Sequence, residues 1–179
     1  MGRIHPTGCA CCQPTRRRFL AGGLAMGMLA AAPGLARAAD YGRIDAFLVN
    51  CMDPRIVIAS HRYMQAAGLA EGRYSQFVMA GGPLAVIADS FADWRKTFWD
   101  NLGATIQLHN IHRVVALSHR DCGAVRIAFG PEAVATPELE TARHALLLGQ
   151  FRQAVLAAHP TLTVETGIMA LDGSVQAVV

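Results

Sequence analysis

Short apolar runs alternate with long stretches of helical spacing through residues 44–178, and that alternation leaves few folds open. Residues 44–49, 74–79 and 113–117 have the length and apolar content of buried strands. Between them, residues 56–67 and 91–108 carry apolar side chains at helical spacing, as in Trp94, Phe98 and Leu102. A further helix is expected over 137–159, and strands over 161–169 and 174–178 flank the hairpin signal Asp172-Gly173. Strands separated by helices build βαβ units around a mostly parallel sheet. The expected class is therefore α/β, with about four parallel strands, a C-terminal antiparallel strand and flanking helices. At 53% hydrophobic and 16% charged residues, the composition excludes disorder as the main state.

An open parallel sheet binds ligands beyond the carboxyl ends of its strands. Two polar segments fall at such ends here. Cys51-Met52-Asp53-Pro54-Arg55 follows the first strand, and His119-Arg120-Asp121-Cys122-Gly123 follows the strand at 113–117. Neither segment is specific alone. Together they use both cysteines of residues 39–179, and they converge if the two strands are neighbours. Two readings stand for Cys51 and Cys122: a disulfide, or a pair of metal ligands. With His119 they form a Cys₂His set, which suits Zn²⁺ and leaves a fourth tetrahedral position for water or substrate. Two thiolates cancel the metal's formal charge, so its water needs help to ionise or to be oriented. Asp53 can supply that help as a hydrogen-bond acceptor, and Arg55 can keep Asp53 ionised. Asp53 also suits a helix cap. Asp121 reads as a local hydrogen-bonding residue, and Phe91, Trp94 and Phe98 as core or dimer contacts. His61 reads as an exposed helix residue that could alternatively shuttle protons.

The two segments resemble the β-class carbonic anhydrase signature, C-x-D-x-R followed by H-x-x-C-G. The likeness extends over most of residues 44–179. It implies the β-carbonic-anhydrase fold, with Cys51, His119 and Cys122 as zinc ligands and Asp53 and Arg55 as the catalytic dyad. It also implies that Asp53 can become a fourth ligand in a closed state. The implied activity is that of a zinc lyase, reversible hydration of carbon dioxide to bicarbonate, in a homodimer or higher homo-oligomer. Carbonyl sulfide and carbon disulfide are alternative substrates for the same site. A non-catalytic zinc-binding or partner-binding domain is a reading of another class. Pro54 stands where the family has a small residue, and Val78-Met79-Ala80-Gly81-Gly82 replaces a more polar segment.

The first 38 residues read as an export signal. Thr15-Arg16-Arg17-Arg18-Phe19-Leu20 resembles the twin-arginine motif. A weakly apolar, Gly-rich run follows and ends on Ala36-Arg37-Ala38, a small-x-small cleavage pattern. The expected organisation is a signal peptide at 1–38 and a zinc domain at 39–179, exported to the periplasm. Membrane contact is expected only through the uncleaved signal. Cys9, Cys11 and Cys12 lie in this leader. Five of the 16 Lys and Arg residues also lie there, so residues 39–179 hold 11 basic and 13 acidic residues, a net of −2. That balance argues against a nucleic-acid partner and leaves a small molecule as the expected substrate.

Overall fold

The computed structural model describes residues 43–70 and 72–178. The expected export signal at 1–38, with its Arg16-Arg17-Arg18 segment and three cysteines, lies outside the described residues. The sheet has five strands: β1 (Ala46–Cys51), β2 (Tyr74–Met79), β3 (Arg113–His119), β4 (Thr163–Met169) and β5 (Val175–Val178). Their order is β2-β1-β3-β4-β5. β1 pairs in parallel with β2 and β3, β3 pairs in parallel with β4, and β5 closes the sheet antiparallel to β4. The helices are α1 (Val57–Ala66), α2 (Pro83–Ile87), α3 (Arg95–His109), α4 (Gly123–Phe129) and α5 (Pro137–Ala158). Among the described residues, no helix is long and apolar enough to cross a membrane.

The alternation of the strands explains their double burial. In β3, Val115 and Leu117 belong to one core layer, with Ile56 and Met64. Val114 and Ala116 belong to the other, with Phe98, Leu102, Leu148 and Phe151. Every residue of β1 is buried. A strand covered on both faces needs a continuous apolar run, which is why 44–49 and 113–117 were readable as strands. Two helices were not anticipated. Pro83–Ile87 has five residues and Gly123–Phe129 seven. Both are too short to develop a helical period.

The hairpin forms as its Asp-Gly pair predicts. Gly173 has φ 90°, and Asp172 Oδ1 accepts from the Ser174 N–H at 2.9 Å. At the other edge, the turn after β2 requires glycine. Gly82 has φ 54°, and a Cβ there would lie 2.7 Å from the Asn50 carbonyl carbon and 2.8 Å from the Cys51 nitrogen. Only a residue without a side chain lets this turn lie against the end of β1.

Ser118 and His144 form a buried pair between β3 and α5, through Ser118 Oγ and His144 Nδ1. Burial pushes the His144 imidazole down to about 4. An unfolded histidine titrates near 6.5, so between these values the unfolded chain binds more protons than the folded one. This contribution to stability is full above about pH 6.5 and is lost as pH falls toward 4, by at most ~1.4 kcal/mol per unit. Denaturation midpoints between pH 7 and 5 should fall more steeply for the wild type than for His144→Gln. Parallel slopes would contradict the assignment.

Candidate metal centre

β1 and β3 are adjacent, and their register pairs Asn50 with Leu117. Their carboxyl ends therefore deliver Cys51 and His119 side by side. Cys122 follows at the N-cap of α4, where the backbone N–H groups of Ala124 and Val125 favour its thiolate. The ligand atoms of Cys51, His119 and Cys122 all lie within 4.8 Å of one another, and all three residues are buried. Both cysteines are free thiols, so the disulfide reading does not describe this fold.

The surroundings fit a cation. His119 Nδ1 lies 2.9 Å from the Arg120 carbonyl oxygen, which fixes the tautomer with the proton on Nδ1. That leaves the Nε2 lone pair free. Nε2 is buried and has no hydrogen-bond partner. An orphaned buried nitrogen is costly unless something else is bound to it, and it faces two sulfurs. The hydrogen bond from Cys122 pushes the Cys51 thiol down to about 4, against burial and with help from His119 and the Gly81 N–H. The same contact and burial push the Cys122 thiol up. Burial opposes a charged His119, but the Cys51 sulfur outweighs it and raises the imidazole's proton affinity. Three soft or borderline donors converge within 4.8 Å here, and a metal ion would take the place of the protons bound among them. The Gly81 N–H donates to Cys51 Sγ at 3.2 Å, so the glycine turn also orients the first sulfur.

Asp53 and Arg55 stand at the rim. The chain does not continue in extended alternation past Cys51. Asp53 caps a 3₁₀ turn, Pro54–Ile56, by accepting from the Arg55 N–H at 2.9 Å. Pro54 fits because the first position of that turn needs no N–H. The Arg55 guanidinium folds back on Asp53: Nε donates to Oδ1 at 3.0 Å and Nη2 to Oδ2 at 2.7 Å. This holds the Asp53 carboxyl down to about 2. Asp53 Oδ2 is 4.0 Å from His119 Nε2. The cap and the ion pair coexist on one carboxylate, and Asp53 is outside the three-residue metal group.

Beside the group opens a cavity of about 360 Å³. Cys51 and Asp53 mark its polar side, and Met52, Phe91, Trp94 and Ile127 wall it with apolar surface. Phe91 and Trp94 were expected as core or dimer contacts. Phe91 joins the core and Phe98 is fully buried, as expected, while Trp94 is exposed and stacks on Phe91 at 4.7 Å; Phe91 and Trp94 both also line the cavity. His61 lies elsewhere. Its Nδ1 is 2.6 Å from the Tyr74 hydroxyl, and Tyr74 pairs with Ala46 at the amino end of β1, away from the metal group. A proton-shuttle role at this site is therefore not supported. The cavity aromatics could be foreseen only as apolar residues, because nothing in their spacing marks which face meets a ligand.

No family model matches the sequence. Among curated proteins, an uncharacterized protein of Rickettsia conorii is 38% identical over 129 residues, covering 72% of this chain and 69% of that protein. A second uncharacterized protein, from Rickettsia bellii, is 32% identical over 129 residues, covering 72% and 78%. The chain belongs to the family of these two rickettsial proteins. The fold of this chain is shared with solved β-carbonic anhydrases. One from Sordaria macrospora, of two described as tetrameric, superposes with a TM-score of 0.51 at 14% identity, covering 76% of this chain and 81% of that one. The β-carbonic anhydrase CafD of Aspergillus fumigatus gives a TM-score of 0.51 at 12% identity, covering 83% and 95%. The fold expectation is met strand for strand, with four parallel strands and one antiparallel strand at the C-terminal edge.

Proposed function

We propose that this protein is a zinc-dependent lyase of the carbonic anhydrase type. The observation that carries the reading is the buried Cys51–His119–Cys122 group with the Asp53–Arg55 pair at its rim. When bound, zinc lowers the pKa of a coordinated water and supplies a nucleophile at neutral pH. Cys51 Sγ, His119 Nε2 and Cys122 Sγ would hold the metal. Asp53, kept ionised by Arg55, accepts a hydrogen bond from the nucleophile and aims it at the substrate carbon. The apolar cavity wall takes carbon dioxide, an uncharged linear molecule, and excludes bulk water from the reacting atoms. Carbonyl sulfide and carbon disulfide meet the same requirements.

The remaining expectations join the proposal. The twin-arginine leader sends the folded, metal-loaded protein to the periplasm, and this rests on residues 15–38 of the sequence. A homo-oligomer is supported by the fold likeness and by the exposed apolar side chains near the cavity. Met52 is 64% exposed, Val78 48% and Ile127 74%. Stopped-flow hydration of carbon dioxide by zinc-loaded protein tests the reaction. Hydration should exceed a zinc-free control many-fold. Equal rates would overturn the lyase reading and leave a zinc-binding domain without turnover.

A further inference from the structure

Arg55 does not serve Asp53 alone. Its Nη1 donates to Asp121 Oδ2 at 2.8 Å, and its Nη2 donates to the Asp121 carbonyl oxygen at 3.1 Å. Each of its side-chain nitrogens is thus engaged, some by Asp53 and some by Asp121. The Arg55 side chain is 43% exposed. An exposed pair with one carboxylate is worth only about 0–1 kcal/mol and holds a long side chain poorly. A second residue at the Nη1/Nη2 end of the guanidinium, bound through its carboxylate and its carbonyl, removes that freedom.

Asp121 is itself fixed on three sides. It lies between His119 and Cys122 with φ 57°, a left-handed backbone that Asp tolerates better than most residues. Its N–H donates to Glu140 Oε1 of α5 at 2.6 Å. Its Oδ1 accepts from Arg126 Nη2 of α4 at 2.7 Å. Glu140 Oε2 also accepts from Arg120 Nη1 at 3.3 Å, so one carboxylate of α5 grips the backbone and the side chain of consecutive residues in the ligand loop. The contacts run from Glu140 through Asp121 and Arg55 to Asp53.

We propose that Asp121 is a positioning residue: it fixes Arg55, and through Arg55 it aims the Asp53 carboxylate at the metal centre, with Glu140 locking the Asp121 backbone. This rests on the role given to Asp53 above. Asp121→Gly keeps the left-handed backbone and removes the carboxylate. Asp121→Asn keeps the shape and removes the charge, and serves if the glycine variant is unstable. Zinc content and melting temperature should stay near wild type. The Arg55 Nε–H signal in the NMR spectrum of the zinc-loaded protein, sharp in the wild type, should broaden or vanish. The kcat for carbon dioxide hydration should fall about tenfold with KM unchanged, the lower end of the range for residues that orient a metal site's inner groups. In an Arg55→Ala background, Asp121→Gly should have no further effect. An unchanged Arg55 signal, or losses that multiply in the double variant, would overturn the proposal. If the wild type does not hydrate carbon dioxide, the function falls separately, and the Arg55 signal alone decides whether Asp121 holds Arg55.

Discussion

Cys122→Ser protein is expected to purify with less than about a tenth of the wild-type zinc, where the wild type carries near one zinc per chain. The serine hydroxyl is not ionised near neutrality and is a poor zinc ligand, while the thiolate is one of three donors that lie within 4.8 Å of one another. His119→Ala should lose metal as completely, because it removes the one nitrogen donor. Loss of metal should also lower stability. A ligand that binds only the folded state contributes ~2.7 kcal/mol when free metal stands 100-fold above its dissociation constant. The wild-type melting temperature should therefore drop on chelation, and that of Cys122→Ser should not respond to chelator. Elemental analysis and thermal melts with and without chelator check both statements. Full zinc retention in Cys122→Ser would remove this cysteine from the ligand set.

Asp53→Asn is expected to keep zinc and to lose about 10²- to 10⁴-fold in hydration rate, the range for removal of a general acid or base. The amide is nearly the same size, so the cap on the Arg55 N–H can persist through its oxygen. It carries no charge, and its NH₂ cannot accept from Arg55 or from a nucleophile. In the wild type, Arg55 holds the Asp53 carboxyl down to about 2, so the group is an ionised acceptor at every pH where the protein works. The activity loss in Asp53→Asn should accordingly be nearly independent of pH between 6 and 9. A variant that regains wild-type rates at one end of that range would show that Asp53 acts as a titrating group.

Much of the metal centre was legible along the chain. Cys51 and His119 are the last residues of β1 and β3, just past two apolar runs, and the carboxyl ends of strands in a parallel sheet are where ligands bind. The three-residue step from His119 to Cys122 returns the chain to the same place, so a short-range pattern carried the information. Asp53 was legible as a cap and as the partner of Arg55, and it makes both contacts. Glu140 was not legible at all. It occupies an ordinary position in the first turn of a long helix, 19 residues from the amide that it holds. Phe91 and Trp94 were apolar residues of unknown facing until the 3₁₀ segment Asp89–Trp94 turned them to the cavity.

The division follows the range of the forces. Periodicity, proline and glycine conformations and cysteine placement act within a few residues, so the sequence alone determined the strands, the long helices, the Asp172-Gly173 hairpin and the candidate ligands. The pairing of Asn50 with Leu117 between β1 and β3, the hold of Asp121 on Arg55, and the buried Ser118–His144 pair join residues 67, 66 and 26 positions apart. Such contacts depend on how β1 and β3 pair and on where α5 packs, because hydrophobic burial is non-directional and does not by itself choose which polar groups meet. Only the tertiary structure decided that Arg55 is shared by two carboxylates, and that the apolar wall of the cavity stands beside the sulfurs.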